Sequence, residues 1–416
     1  MTRRWTAPLI ILSLLGAMTA SATAAPPTCF GRRATIIGTD GPDVISGTRH
    51  SDVIVGRGGG DRIDGRGGED RICGGSGGDS LGGGEGRDLI KGQGERDLVV
   101  GGTGNDRLNG GSGVRDRVSY ALASGPVSVD LADGTATGQG RDALNGIERA
   151  DGSAFADRLL GDWRDNGLDG GPGNDDIRGR SGFDSLTGGD GDDSIAGDGG
   201  LGDEAIYAGS PGPVQVDLLA GVATGHGADT LSGVENLTGS SFDDTSIGNR
   251  KNNEIFGGKG MDTIEGRAGD DTLEGGPDSD SLFGGSGIDS FVGAGGNDVI
   301  SGGDGSFDAV SYAGAPRRVI VDLRTGTAEG QDVDSLSGLE VLVGSRFPDR
   351  LAGDEGNNFL FGGRGGDLLL GRGGDDYLIG FTGPDDLRGG TGEDTLDGGP
   401  GTDSCRGGEH RSGCES

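Results

Sequence analysis

The chain has 416 residues, of which 97 are glycine and only 4% are aromatic, which leaves too few large apolar side chains for a conventional globular core of that length. Acidic residues outnumber basic ones 68 to 35, and the formal net charge of −33 argues against nucleic acid or an anionic membrane as a partner. Low hydrophobicity with high charge means disorder unless a repeat and a neutralising ligand intervene, and scarce aromatics also remove the stacking platforms that single-stranded nucleic acid needs.

Residues 1–24 read as a signal peptide: Arg3 and Arg4, an apolar run over residues 9–15, then Ala22-Thr23-Ala24 as a small-x-small cleavage site. The apolar run is too short to remain as an anchor. No other segment is apolar enough to span a membrane, so the mature chain is expected to be secreted. Residues 25–37 are expected to form an N-terminal cap.

From residue 38 to residue 109 the chain repeats in nines. Glycine stands first in each unit, at Gly38, Gly47, Gly56, Gly65, Gly74, Gly83, Gly92 and Gly101. Aspartate stands sixth and an aliphatic residue eighth, as in Asp43 with Ile45 and Asp106 with Leu108. Residues 101–109 spell G-G-x-G-x-D-x-U-x in full, where U is aliphatic. Six residues make a turn and three a short strand, in which alternation turns U inward. One apolar residue per nine builds no core alone, but stacked units bury it, which predicts a parallel β-solenoid of two thin sheets. Two units complete one coil. The sixth-position aspartates then fall into two edge columns: Asp43, Asp61, Asp79 and Asp97 on one, Asp52, Asp70, Asp88 and Asp106 on the other. Column neighbours lie about 4.8 Å apart, where bare carboxylates repel. A hard divalent cation seeking several oxygens resolves that repulsion.

The nonapeptides break at residue 110. An insert over residues 110–160 returns at 197–247 and again at 302–352, and the three copies align without a gap. Asp116, Asp203 and Asp308 correspond, as do Tyr120, Tyr207 and Tyr312. So do Asp130, Asp217 and Asp322, then Asp142, Asp229 and Asp334, then Glu148, Glu235 and Glu340. Each copy closes with Gly-Ser-x-Phe and an aspartate, at Asp157, Asp244 and Asp349. Repeat blocks occupy residues 161–196, 248–301 and 353–406, and residues 407–416 are expected to form a C-terminal cap. Each block opens with Asn at the sixth position (Asn166, Asn253, Asn358), a weaker ligand suited to a capping turn. Aspartate then returns: Asp175, Asp184 and Asp193; Asp262, Asp271, Asp280, Asp289 and Asp298; Asp367, Asp376, Asp385, Asp394 and Asp403.

These units resemble the RTX, or hemolysin-type, calcium-binding nonapeptide repeats, and the resemblance covers nearly all of the mature chain. It implies a right-handed parallel β-roll, an all-β fold, with several Ca²⁺ ions held between successive coils by turn carbonyls and the sixth-position aspartates. Some units depart from the pattern: His50 and Glu95 replace the fourth-position glycine. RTX exoproteins of the type I route usually lack an N-terminal signal. This chain therefore resembles the subset exported by the general route.

Four cysteines in an exported chain suggest disulfides. Cys405 and Cys414 are nine apart and face each other across the final coil. Cys29 and Cys73 remain by elimination. In strict solenoid register they would stand about 10 Å apart, beyond disulfide reach, so the N-terminal arm would have to fold back.

No catalytic constellation is evident. The histidines, His50, His226 and His410, form no H-E-x-x-H. The G-x-S-x-G around Ser76 lies in a repeat turn, without the strand-to-helix elbow of a nucleophile. Asp130, Asp142 and Glu148, with their copies, suit calcium or turn hydrogen bonds better than acid–base work, because a triplicated active site is unusual. The expected function is a secreted, multi-site calcium-binding β-roll that folds on Ca²⁺ and is structural or surface-interacting, not an enzyme. The alternatives are a β-solenoid polysaccharide-modifying enzyme, with Tyr120, Tyr207 and Tyr312 stacking sugars, and a calcium-dependent adhesin on cell-surface or extracellular polysaccharide.

Overall fold

A computed structural model describes residues 26–330 and 332–415; the expected signal peptide lies outside them. Among the described residues there is no helix. The repeats wind into a parallel β-roll of two facing sheets. One runs through Val44–Ser46, Arg62–Asp64 and Ser80–Glu85, the other through Val53–Gly58, Arg71–Ser76 and Leu89–Gln93. Ile45 pairs with Ile63 and Ile63 with Leu81, while Ile54 pairs with Ile72 and Ile72 with Ile90. That register is two nonapeptides per coil. The eighth-position residues stack in file between the sheets, and Ile54, Ile72, Ile90 and Val99 are each 0% exposed. One continuous core runs on to Leu396.

The inserts are absorbed into one sheet only. After Arg117–Ser119 the chain builds a meander of Ser128–Asp130, Thr135–Thr137 and Arg141–Asn145. Arg141–Asn145 lies parallel to Arg107–Gly111, and Ser128–Asp130 lies parallel to Arg158–Leu160, with antiparallel pairing between. Across the core, Arg117–Ser119, Arg149–Asp151 and Gly167–Asp169 continue with nothing interposed. The other two inserts repeat this pairing. The meander sheet therefore holds 25 strands and its partner 19 among the described residues.

Both ends are covalently tied. Thr28–Cys29 and Arg32–Arg33 form an antiparallel hairpin, turned at Phe30 and Gly31, both at positive φ. The hairpin lays Cys29 on the outer face of the roll, against Val55 and Cys73. The Cys29–Cys73 disulfide, with Cα atoms 5.7 Å apart, is thus reached by folding the arm back, out of solenoid register. Cys405 and Cys414 are also bonded. The expected C-terminal cap supplies a last rung, His410–Ser412, paired with Thr395–Asp397.

Candidate metal centre: two ladders of carboxylates

Each sixth-position aspartate stands where a turn enters a strand, with its backbone N–H directed along the roll axis. The carboxylate one coil on receives that N–H. Asp61 donates to Asp79 Oδ1, Asp70 to Asp88, Asp79 to Asp97 and Asp88 to Asp106, each at 2.8 Å. The same bond runs from Asp43 to Asp61 and from Asp52 to Asp70. In later blocks it joins Asp175 to Asp193, Asp262 to Asp280, Asp271 to Asp289, Asp280 to Asp298, Asp367 to Asp385, Asp376 to Asp394 and Asp385 to Asp403. The two columns expected at the roll edges are therefore continuous hydrogen-bonded ladders.

The second oxygen is what matters chemically. Oδ2 of Asp61, Asp70, Asp79, Asp88, Asp97 and Asp106 is buried without a hydrogen-bond partner. The same holds for Asp175, Asp184 and Asp193, for Asp262, Asp271, Asp280 and Asp289, and for Asp367, Asp376, Asp385, Asp394 and Asp403. A Cβ built on Gly56 would stand 2.2 Å from Asp61 Oδ2 and 2.4 Å from the Gly74 carbonyl oxygen of the next coil. Two acceptors thus crowd one spot with no donor between them, and only glycine fits at the head of the turn. Burying one aliphatic side chain contributes about 2 kcal/mol, whereas an unpaired buried carboxylate costs several kcal/mol. Where a turn holds one of each, burial of the aliphatic side chain does not offset a bare carboxylate, and a bound cation or a proton would relieve it. Burial, followed by like charge along the column, pushes the Asp88 and Asp97 carboxyls up to about 7 despite the backbone N–H each accepts. Among the described residues no three His, Cys, Asp or Glu side chains converge on one point. A cation here would draw on one or two carboxylates and turn carbonyls, a donor set that suits Ca²⁺.

A second class of turn closes itself. Asp43 and Asp52 stand in the columns, yet Thr39 and Thr48 each give backbone N–H and hydroxyl to their Oδ2. Ser153, Ser240 and Ser345 likewise occupy the carboxylates of Asp157, Asp244 and Asp349. The difference lies at the second residue of the turn. In open turns it is left-handed, even where it is Arg57 (φ 84°) or Arg66 (φ 73°), so its N–H faces away from the aspartate. Thr39, Thr48 and the three serines are not left-handed, and their N–H reaches it. The asparagines close too: Asn166 Oδ1 accepts the Asp162 N–H at 2.6 Å, and Asn253 Nδ2 donates to the Glu235 carbonyl at 2.7 Å. The open carboxylates of the first block therefore begin at Asp61 and Asp70. Asp298 accepts the Asp280 N–H, and burial with neighbouring Asp334 and Asp280 raises it to about 7.

The other insert carboxylates have partners. Asp142, Asp229 and Asp334 continue one ladder, and each accepts the hydroxyl of Tyr120, Tyr207 or Tyr312 at 2.8–3.0 Å. Asp130, Asp217 and Asp322 form two-pronged ion pairs with Arg180, Arg267 and Arg372, each fifty residues further on. That constant spacing was a signal in the sequence that periodicity alone overlooks.

A parallel β-roll whose turns bury rows of unpartnered carboxylate oxygens is the architecture of a calcium-binding repeat protein. The profile of the RTX calcium-binding nonapeptide repeat (four copies) matches residues 32–61, 46–81, 82–114, 142–175, 169–202, 238–273, 274–306, 343–378 and 379–409. The chain belongs to that family, whose repeats bind multiple Ca²⁺ ions. No curated protein matches the sequence.

Proposed function

We propose that the mature chain is a secreted, calcium-folded β-roll with a structural or surface-interacting role and no catalytic activity. The observation that carries this reading is the run of buried, unpartnered Oδ2 atoms in both ladders. Successive open turns share the gap between coils, so ordering one coil prepares the next. A calorimetric titration should be cooperative, with Kd on the order of 10⁻⁴–10⁻³ M, and Mg²⁺ should substitute poorly because it demands tight octahedral geometry. Independent binding, or equal folding by Mg²⁺, would contradict the proposal.

A polysaccharide partner draws support from a different place than the inserted tyrosines. Tyr120 and Tyr207 are buried, and all three tyrosine hydroxyls are committed to aspartates, so none offers a sugar platform. Phe307, Phe359 and Tyr377 instead form a row with ring centroids 5.1 and 5.9 Å apart, beside the Phe361–Phe381 pair. These rings lie on the outer side of Phe359–Arg364 and Tyr377–Thr382, where Tyr377 is 37% and Phe381 45% exposed. Exposed aromatic rings stack on sugar faces without needing charge on the polymer, which suits a neutral one. Calcium-loaded protein should co-sediment with an insoluble neutral glucan, and Phe359→Ala with Tyr377→Ala should release it. No retention of the unaltered chain would sink this partner.

A further inference from the structure

The calcium reading of the ladders has an extension that the nonapeptide pattern does not reach. Each insert opens with a turn one residue too long: Gly-Gly-Ser-Gly-Val-Arg-Asp at residues 110–116, Gly-Asp-Gly-Gly-Leu-Gly-Asp at 197–203 and Gly-Gly-Asp-Gly-Ser-Phe-Asp at 302–308. The aspartate is seventh, and the family match stops short of it, at residues 114, 202 and 306. The extra residue is taken up locally. Arg115, Gly202 and Phe307, immediately before the aspartate, are left-handed at φ 69°, 93° and 77°. The next strand is back in register, with Arg117 beside Leu98 and Val118 beside Val99.

Asp116, Asp203 and Asp308 consequently occupy ladder positions. They are 0%, 1% and 1% exposed. Their Oδ1 atoms accept the N–H of Asp97, Asp184 and Asp289 at 2.9, 3.0 and 2.8 Å. Oδ2 of Asp116 and of Asp203 is buried without a partner. The second residues of these turns, Gly111, Asp198 and Gly303, are left-handed, as in open nonapeptide turns. The carbonyl that crowds the head of the turn is restored as well. A Cβ on Gly110 would lie 2.4 Å from Asp116 Oδ2 and 2.1 Å from the Gly146 oxygen, which belongs to the far side of the meander. For Gly197 the distances are 2.4 Å to Asp203 Oδ2 and 2.3 Å to the Gly233 oxygen; for Gly302 they are 2.5 Å to Asp308 Oδ2 and 1.9 Å to the Gly338 oxygen.

We propose that Asp116, Asp203 and Asp308 are calcium ligands, so that each insert carries one further calcium site on this edge of the roll. The sequence separation changes but the oxygen set does not: Asp116 and Asp203 keep a buried free carboxylate oxygen, and all three turns keep a carbonyl from the following coil and the open form. The run ends one rung later. Asp116 and Asp203 donate their N–H to Glu148 and Glu235, and those glutamates pair with Arg164 and Lys251. A side-chain cation there takes the place of a metal. On the opposite edge the insert provides no site, because the tyrosine hydroxyls fill Asp142, Asp229 and Asp334.

The test compares the two edges. Asp203→Asn keeps the acceptor for the Asp184 N–H but removes the charge. Equilibrium dialysis of the mature chain against Ca²⁺, counted by atomic emission, should show one ion fewer, with β signal retained at saturating calcium. Asp229→Asn, on the opposite edge, should leave the count unchanged. An unaltered count in Asp203→Asn, or an equal loss in Asp229→Asn, overturns the inference. Should Asp203→Asn fail to fold, anomalous diffraction from crystals of the unaltered calcium-loaded chain decides. Peaks beside Asp116, Asp203 and Asp308 support the sites, whereas peaks confined to nonapeptide turns refute them. If the unaltered chain binds no calcium, it is the parent reading that fails.

Discussion

In excess chelator at pH 7.5 the mature chain is expected to lose most of its β circular dichroism, and millimolar Ca²⁺ is expected to restore it. The core is only two facing files of aliphatic side chains, one from each sheet, and glycine-rich turns lose more backbone entropy on folding than other turns do. Against that thin core stand rows of carboxylates, up to two per coil, with one oxygen unsatisfied in the open turns. No charge arrangement within the open turns relieves them, because the opposing atoms are carbonyl oxygens. Ion binding is therefore folding free energy, as in other small metal-ordered units. At free Ca²⁺ ten times its Kd each site contributes about 1.4 kcal/mol, so loss of many sites together removes more than a typical domain's stability. A full β signal in chelator would refute the prediction.

Protons should do part of the work of calcium. Burial first, then nearby like charges, mostly column neighbours but Asp278 for Asp280, raise Asp88, Asp97, Asp175, Asp184, Asp262 and Asp376 to about 7, and Asp70, Asp79, Asp271, Asp280 and Asp367 to about 6. An unfolded aspartate titrates near about 3.9. The folded chain thus holds protons that the unfolded chain releases, and the stabilisation is complete below the unfolded value and lost as pH rises through 6–7. In chelator, lowering the pH from 7.5 to about 5.5, still above the sequence pI of 4.2, should recover β signal without metal. With calcium present the same acidification should raise the calcium midpoint, because proton and ion compete for one carboxylate. A chelated chain that is no more folded at pH 5.5 than at 7.5 would show that the ladders are not the obstacle to folding.

The nine-residue phase made the turns, the inward aliphatic file and the two aspartate columns legible in the sequence, since each depends only on position within a unit. The difference between open and closed turns was not legible in that phase. It turns on whether the second residue can swing its N–H and hydroxyl onto the aspartate, as Thr39 does for Asp43 and Ser153 for Asp157. Counted from the leading glycine of a unit, G-[S/T]-x-x-x-D marks the closed form; the same letters at residues 111–116 fall one residue out of phase, and Asp116 stays open. The aligned insert carboxylates were visible, but their partners were not, because Asp130 finds Arg180 and Asp106 finds Asp142 only through a meander that periodicity does not predict. Asp116, Asp203 and Asp308 escaped the ligand set for a simpler reason: one additional residue hid them from a nine-residue ruler.

The unequal sheets have a mechanical consequence. Each insert lengthens one wall of the roll by two strand spacings, about 10 Å, while the other wall runs on unbroken. Walls joined at every coil cannot differ in length and stay straight, so the roll is expected to bow, with the meander wall on its outer curve. All three wedges thicken the same wall, and their deflections add as far as sheet twist permits. Small-angle scattering of the calcium-loaded chain should register an arc instead of a straight rod. The aromatic row of Phe359 and Tyr377 sits on the shorter wall, inside the bend, where a rigid arch would hold it toward whatever the protein straddles.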